Sequence, residues 1–127
     1  MSSSTAENKQ LVGRYLQALS GQAKPPSLVE RFVSDVTLAE HIRQAEAAFP
    51  FYELIADDVV AEGDVVALRG TFQGVHGGPF AGIEATGRSV NANLMIFYRI
   101  EEGRIAQHWM QFDVASVIAQ LTVAASV

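Results

Sequence analysis

At 127 residues, the chain has the length of one domain, long enough to bury a hydrophobic core and too short for two. Hydrophobic residues make up 49% of it and charged residues 18%, which is typical of globular proteins. The formal net charge of −5 and the absence of a basic stripe argue against nucleic acid or an anionic membrane as a partner. With no cysteine, disulfides, thiolate metal sites and cysteine nucleophiles are excluded.

The first residues, Met-Ser-Ser-Ser-Thr-Ala-Glu, lack the basic and apolar regions of a signal peptide. No apolar run reaches the ~20 residues that a membrane-spanning helix needs. We therefore expect a cytoplasmic protein without a membrane partner. A single domain over residues 1–127 is predicted, with a disordered end at residues 1–6.

Three helices are predicted in the first half of the chain. Apolar residues recur at every fourth position within residues 6–19, which indicates the buried stripe of a helix. Ser27, followed by Glu30 three positions later, is typical of a capping box and predicts a short helix that ends near residue 33. A third helix is predicted over residues 38–48, and it should stop before the proline that follows.

The second half alternates like a series of strands. Strands are predicted over residues 52–62, 65–75, 89–100 and 104–112, and a helix over 114–121. Glu62-Gly63-Asp64 and Glu101-Glu102-Gly103 read as tight turns, and residues 74–87 as a glycine-rich loop. Helices followed by long antiparallel strands predict an α+β fold. A curved sheet would wrap around the N-terminal helices, with a short C-terminal helix at its end.

Alternation also divides the strand residues between two faces of the sheet. One set is apolar apart from a tyrosine and a histidine: Val66, Leu68, Phe72, Ala92, Leu94, Ile96, Tyr98, Ala106, His108, Met110 and Phe112. The other set is more polar and includes Arg69, Thr71, Asn93, Arg99, Trp109 and Gln111. One face should carry the helices and any pocket, and the sequence leaves open which. A β-bulge would exchange the two sets beyond it.

Several motifs of the second half resemble one known family. They are Gly74-Val75-His76-Gly77-Gly78, Ala85-Thr86-Gly87-Arg88, the segment from Tyr98 to Ile105, and His108-Trp109. Together they resemble the SnoaL-like polyketide cyclase family of the nuclear-transport-factor-2-like superfold, over about residues 61–121. The resemblance implies a cone-shaped α+β barrel with an apolar pocket between sheet and helices. It also implies a small hydrophobic ligand and, often, a homodimer.

The resemblance also carries an expected chemistry, from which this chain departs. Family members that close a polyketide ring by aldol chemistry use no metal or cofactor, and an aspartate just after the His-Trp position acts as general acid and base. That position falls on Met110 here, and the supporting polar positions fall on Leu94 and Ile96. A thioether cannot relay a proton, and aliphatic side chains cannot stabilise an enolate. These residues therefore do not support the aldol reaction.

Other residues remain candidates for catalysis and binding. For catalysis we consider His108, His76, Tyr98 and Asp113. Each has a structural alternative: a buried histidine, a loop histidine, a core tyrosine and the N-cap of the last helix. Predicted to contact the ligand are Leu94, Ile96, Met110, Phe72, Trp109 and Phe112. The separations of 35 and 32 residues between the three histidines match no metal motif, so neither a metal nor a cofactor is expected.

Three functions stay open at this point. The leading hypothesis is a protein that binds a small aromatic or polycyclic molecule and catalyses its cyclisation, isomerisation or hydration by acid–base groups. A second is a binding domain without catalysis, which Met110 favours. A third is epoxide hydrolysis, which would need an Asp-Arg-Asp set drawn from Asp57, Arg69, Arg99 and Asp113.

Overall fold

A computed structural model describes residues 4–122 of the chain. Its elements, in order, are α1 (Thr5–Leu19), α2 (Pro26–Phe32), α3 (Val36–Ala48), β1 (Glu53–Glu62), β2 (Val65–Val75), β3 (Ser89–Glu101), β4 (Arg104–Phe112) and α4 (Val114–Thr122). Of the end predicted to be disordered, residues 1–3 lie outside the described residues, whereas Thr5 and Ala6 belong to α1.

Side-chain caps explain where the helices begin. The Ser4 hydroxyl accepts a hydrogen bond from the backbone N–H of Glu7 and so caps α1. The prediction that Ser27 caps α2 is wrong, because the helix already begins at Pro26, a residue suited to a first helical position. α3 begins two residues earlier than predicted, because the Asp35 carboxylate caps its first turn.

The four strands form one antiparallel sheet in the order β1-β2-β3-β4, and the predicted α+β fold is confirmed. β2 and β3 pair along their full length, from Val65 opposite Arg99 to Val75 opposite Ser89. Between β3 and β4, Glu102 and Gly103 both have positive φ angles, of 51° and 74°. Two consecutive left-handed residues are characteristic of the type I′ turn, whose twist suits a tight hairpin.

A bulge in β4 changes the predicted division between the faces of the sheet. Arg99 lies opposite Gln107, but Ile100 lies opposite Ile105, so Ala106 is an additional residue in the ladder. Simple alternation assigns Ala106 to the apolar set and Ile105 to the more polar one. Because of the bulge, Ile105 is instead fully buried in the core with the apolar set, and Ala106 is only half-buried. From His108 onward the predicted alternation holds.

The hydrophobic core lies between the helices and the apolar face of the sheet, which we call the inner face. Leu94, Ile96 and Tyr98 are each at most 4% exposed there. Where β4 has ended, the Gln120 side chain of α4 both donates to and accepts from the backbone of Asn91 and so continues the ladder of β3. No helix within residues 4–122 is both long and apolar enough to cross a membrane.

Candidate functional site

A cavity of about 110 Å³, open to solvent on one side, lies between α1, α3 and the inner face of the sheet. A cavity volume of about 10–15 Å³ is enough for one water molecule, so a cavity of this size can hold a small organic ligand. The cavity is lined by Tyr15, Leu38, His41, Ile42, Ala45, Phe49, Tyr52, Leu54, Phe72, Phe80, Leu94, Ile96, Tyr98, Met110 and Phe112. Among residues 4–122, no Asp, Glu, Lys or Arg side chain lines it.

Five of the six residues predicted to contact the ligand line this cavity. They are Leu94, Ile96, Met110, Phe72 and Phe112. The pairing of β3 with β4 explains why they come together: Leu94 lies opposite Phe112, Ile96 opposite Met110 and Tyr98 opposite His108. The inner face is therefore the one that carries the cavity, a question that alternation alone left open.

Trp109, the sixth predicted contact, lies on the opposite, outer face of the sheet. Its side chain is half exposed, and the Arg99 guanidinium lies 5.4 Å from the centre of its ring. The strand alternates at this point, so Trp109 and its neighbour Met110 point in opposite directions. The position of Trp109 therefore does not support a contact with a ligand in the cavity.

His108 forms a nearly buried pair with Asp35 beside the cavity. Its Nδ1 lies 2.8 Å from Asp35 Oδ2, and the two side chains are 7% and 13% exposed. The other carboxylate oxygen accepts hydrogen bonds from the backbone N–H groups of Thr37 and Leu38. Burial would raise the pKa of the Asp35 carboxyl, but the hydrogen bonds from His108 and Leu38 outweigh it, and the pKa is lowered. The ionised carboxylate thus fixes the orientation of the imidazole.

The structure adds His41 to this pair. His41 lines the cavity from α3, and its ring packs edge-on against that of His108 at 5.4 Å between centroids. His41 lies in the helix predicted over residues 38–48, where the sequence indicates a position on the surface or at the pocket rim, and the sequence does not single out Asp35. Ser34-Asp35 directly before a helical stripe is an N-cap signal that could have identified Asp35.

The lowered pKa of Asp35 predicts a pH-dependent contribution to stability. At pH 7, Asp35→Asn is expected to reduce the free energy of unfolding by about 1 kcal/mol, because asparagine keeps the cap but loses the charge that pairs with His108. Since the folded-state pKa lies below the ordinary value of 3.8, this contribution is present above pH 3.8 and is lost as the pH falls through the folded value. Urea denaturation of both proteins across this range measures it.

Asp58→Asn is the matched control, because Asp58 pairs with Arg69 on the exposed outer face, where an ion pair contributes little. A loss of stability in Asp35→Asn that stays constant down to the lowest pH would contradict the prediction. It would mean that the charge on Asp35 has no part in the effect.

His76 lies behind the wall of the cavity and not in it. It is fully buried, and its Nδ1 accepts a hydrogen bond of 3.1 Å from the backbone N–H of Thr86. Its Nε2 has no partner among residues 4–122. The ring packs 5.5 Å from that of Phe49, which does line the cavity. His76 is therefore not the solvent-exposed loop histidine considered as its structural alternative. Its predicted catalytic role finds no support in this position outside the cavity lining, and the position supports a role in holding the loop.

The glycines after His76 allow a close contact between segments. The N–H groups of Gly77 and Gly78 both donate to the carbonyl of Ala48 at the end of α3. A Cβ at Gly78 would lie 2.2 Å from the carbonyl oxygen of Ala47, so no other residue fits there without displacement. These bonds attach the loop to the helix that walls the cavity.

Tyr98 lines the cavity as one of three buried phenols, with Tyr15 and Tyr52. Burial raises the pKa of all three hydroxyls. The neighbouring phenols raise it further for Tyr15, whereas for Tyr98 the effect of Tyr52 raises the pKa and the interaction with the Tyr15 hydroxyl opposes it. The three groups thus remain hydrogen-bond donors at neutral pH. The sequence does not identify Tyr15 as a site residue, because its spacing assigns it to the buried stripe of α1. It does belong to that stripe, and it also lines the cavity.

Asp113 caps α4 and does not face the cavity. Its carboxylate accepts a hydrogen bond of 3.0 Å from the backbone N–H of Ser116, and the residue is exposed. This is the structural alternative considered for it, and its predicted catalytic role finds no support in this position. It borders a shallow depression on the outer face with Arg69, Asn93 and Gln111.

The set needed for epoxide hydrolysis does not assemble in the cavity. Arg69 binds Asp58 through two hydrogen bonds, and Asp57 accepts one from the Thr71 hydroxyl. These groups belong to the outer face, and none of them lines the cavity. In the part of the chain that the structure describes, no three His, Asp or Glu residues lie close enough to share a metal ion.

A model of the SnoaL-like polyketide cyclase family matches residues 10–121 of the chain. No curated protein sequence matches the chain significantly.

Solved structures show the same fold. TsrD from Streptomyces laurentii is 28% identical with a TM-score of 0.78, and the match covers 96% of this chain and 99% of that one. AclR from Streptomyces galilaeus, a proposed hydroxylase, is 24% identical with a TM-score of 0.80, and 98% and 86% are covered. A SnoaL-like polyketide cyclase from Agrobacterium tumefaciens is 22% identical with a TM-score of 0.73, and 90% and 97% are covered.

Proposed function

The chain belongs to the SnoaL-like polyketide cyclase family, and on that premise we propose that it binds a small, neutral ring compound in the cavity and catalyses proton transfer within it without a cofactor. The observation that carries the proposal is the Asp35–His108 pair, which lies behind His41: the His41 ring lines the otherwise apolar cavity and packs against that of His108. The reaction class is isomerisation or cyclisation through an enol, begun by removal of a proton from the carbon beside a carbonyl.

The character of the wall supports a neutral, apolar ligand. Aromatic and aliphatic side chains supply nearly all of the lining, and the polar side chains among them are the three tyrosines and His41. A charged ligand would lose its hydration without gaining a partner of opposite charge, which is unfavourable by several kcal/mol. A flat ring can pack against Phe72 and Phe112, whose own rings meet edge-on at 5.3 Å.

The position of His108 supports its assignment as the base. Tyr98 lies directly opposite it on the neighbouring strand, so their Cβ atoms are about 5 Å apart on the inner face. With Nδ1 directed at Asp35, the imidazole has Nε2 left to accept a proton, and the carboxylate stabilises the imidazolium that forms. The base would then stand on the same face of β4 as Met110 and two residues before it. Met110 occupies the position at which the family carries its aspartate.

Met110 also favours a second candidate function, a binding domain without catalysis. It lines the cavity at the position where the family has its acid–base group, and a thioether exchanges no proton. This candidate shares the ligand but not the reaction. It is therefore separated from the first by measuring proton exchange in a ligand that binds.

Filling the cavity tests the binding that both candidates share. Ala45 lines the cavity from α3, and Ala45→Phe is expected to weaken the binding of indanone, a planar bicyclic ketone, at least about tenfold, since the new ring occupies the same space. Isothermal titration calorimetry measures the Kd.

Gln44→Phe adds the same side chain at an exposed position of the same helix and should leave binding unchanged. Equal affinity of Ala45→Phe and wild type for indanone would show that the ligand binds elsewhere, and wild type that binds no indanone would contradict the proposal outright.

We further propose that two copies associate through the outer face of the sheet. Three large apolar side chains are at least half exposed there, Met95, Phe97 and Trp109, and Phe97 lies directly opposite Trp109 on the neighbouring strand. Contiguous exposed apolar surface of this kind is typical of protein interfaces and not of monomer surfaces. Arg99, over the Trp109 ring, would belong to the polar margin of the contact.

A further inference from the structure

We propose that Tyr15, Tyr52 and Tyr98 form an oxygen-binding subsite that selects ligands carrying a carbonyl oxygen over hydrocarbons of the same shape. The inference rests on the proposed function, because it specifies the class of ligand that the same cavity takes. It assigns the binding of the ligand oxygen to three phenols and not to the family's acid–base position, which is occupied by Met110.

The three phenols reach the cavity from separate parts of the fold. Tyr15 comes from α1, Tyr52 from the segment just before β1, and Tyr98 from β3, and they are 4%, 8% and 1% exposed. All three belong to the cavity lining. Side chains that are otherwise buried in the core thus converge on one space, where water or a ligand can take their hydrogen bonds.

Packing fixes the directions of the rings. Tyr15 meets Tyr98 edge-on at 5.8 Å, and Tyr52 stacks on Phe72 at 5.0 Å. On Tyr52, the Lys24 ammonium also lies 4.0 Å from the ring centre. Hydroxyls held by rings that cannot turn are preorganised, and a ligand oxygen then binds them at a small entropic cost.

The charge state of the subsite points to a neutral acceptor. Burial raises the pKa of each phenol, so each hydroxyl keeps its proton at neutral pH, and the Tyr15 and Tyr98 hydroxyls also interact with each other. Lys24, the cation nearest to Tyr52, is already bonded to Glu46 at 2.8 Å and is not part of the cavity lining. Among residues 4–122 the lining offers no Lys or Arg to pair with a carboxylate, whereas a ketone oxygen accepts hydrogen bonds without a counter-ion.

Two ligands of matched shape test the inference: indanone and indane, which differ in the carbonyl oxygen. Tyr98→Phe removes one hydroxyl and keeps the ring. It is expected to weaken indanone binding about three- to tenfold, the range for one net hydrogen bond, and to leave the Kd of indane unchanged. Tyr15→Phe and Tyr52→Phe should act in the same direction. Titration calorimetry measures the four Kd values for each pair of proteins, and thermal melting confirms that each variant is folded.

Ile96→Val is the matched control, since it trims an apolar wall residue and should weaken both ligands alike. If none of the three phenylalanine variants changes the ratio of the two affinities, the subsite is overturned while ligand binding stands. If wild type binds neither compound, the proposed function itself fails. A selective loss for indanone in Tyr98→Phe or Tyr15→Phe, with indane unaffected, supports the subsite.

Discussion

Replacing His108 with glutamine is expected to slow enzyme-catalysed proton exchange in bound indanone by about 10²–10⁴-fold, the usual contribution of a general base. Glutamine fills a similar volume and its amide N–H can still donate a hydrogen bond to Asp35, but it cannot take up a proton. The Kd for indanone should change little, because the polar contact with the ligand oxygen is assigned to the tyrosines. In D₂O, exchange at the carbon beside the carbonyl is followed directly by NMR, so the natural substrate need not be known.

Asp35→Asn provides the graded comparison. The charge that orients and stabilises the imidazole is lost while the imidazole itself remains, so exchange is expected to slow, but by no more than in His108→Gln. Equal exchange rates in wild type and His108→Gln would contradict His108 as the base. Wild type that binds indanone but exchanges no proton would favour the binding domain.

Phe97→Asp is expected to convert the proposed dimer into a monomer. The substitution places a carboxylate in the apolar part of the proposed interface, where it would be desolvated without a partner. A cost of at least about 3 kcal/mol raises the dimer Kd more than 100-fold. Sedimentation velocity should then show the mass of one chain, 13.7 kDa, where wild type shows twice that value.

Val36→Asp is the control for charge and for loss of apolar surface, because Val36 is 83% exposed and belongs to α3, not to the outer face of the sheet. It should leave the dimer intact. Sedimentation of wild type as a single chain at concentrations of tens of micromolar would overturn the proposed interface, as would a Phe97→Asp variant that stays dimeric.

Local sequence rules predict most of the fold. Strand and helix ranges agree with the structure to within one residue at nearly every end, because alternation and four-residue spacing report which side of each element is buried. The Glu101-Glu102-Gly103 turn is likewise identified by its residues alone. Errors arise where a single side chain or backbone residue determines a helix start or a strand register. These places are the start of α2 near Ser27, the Asp35 cap of α3 and the bulge in β4.

In the candidate site, too, local patterns predict some residues correctly and others not. Five of the six predicted ligand contacts line the cavity, since they share the inner face of adjacent strands and that is a local property. Trp109 does not, because residue type suggests a ligand contact while alternation places it outside. Asp113 caps α4 because its carboxylate accepts a hydrogen bond from a backbone N–H of the first turn, which is why aspartate is common at helix starts.

Secondary structure and the likeness to a family can be read from the chain itself, as can Met110 at the position where the resemblance implies an aspartate. Each of these depends on neighbouring residues or on the identity of one residue. The pairing of Asp35 with His108 joins residues 73 positions apart, and the three tyrosines come from α1, β3 and the segment before β1. Such contacts depend on how helices lie across the sheet, which no local pattern encodes. The tertiary structure alone therefore decided which face holds the cavity and which polar groups stand beside it.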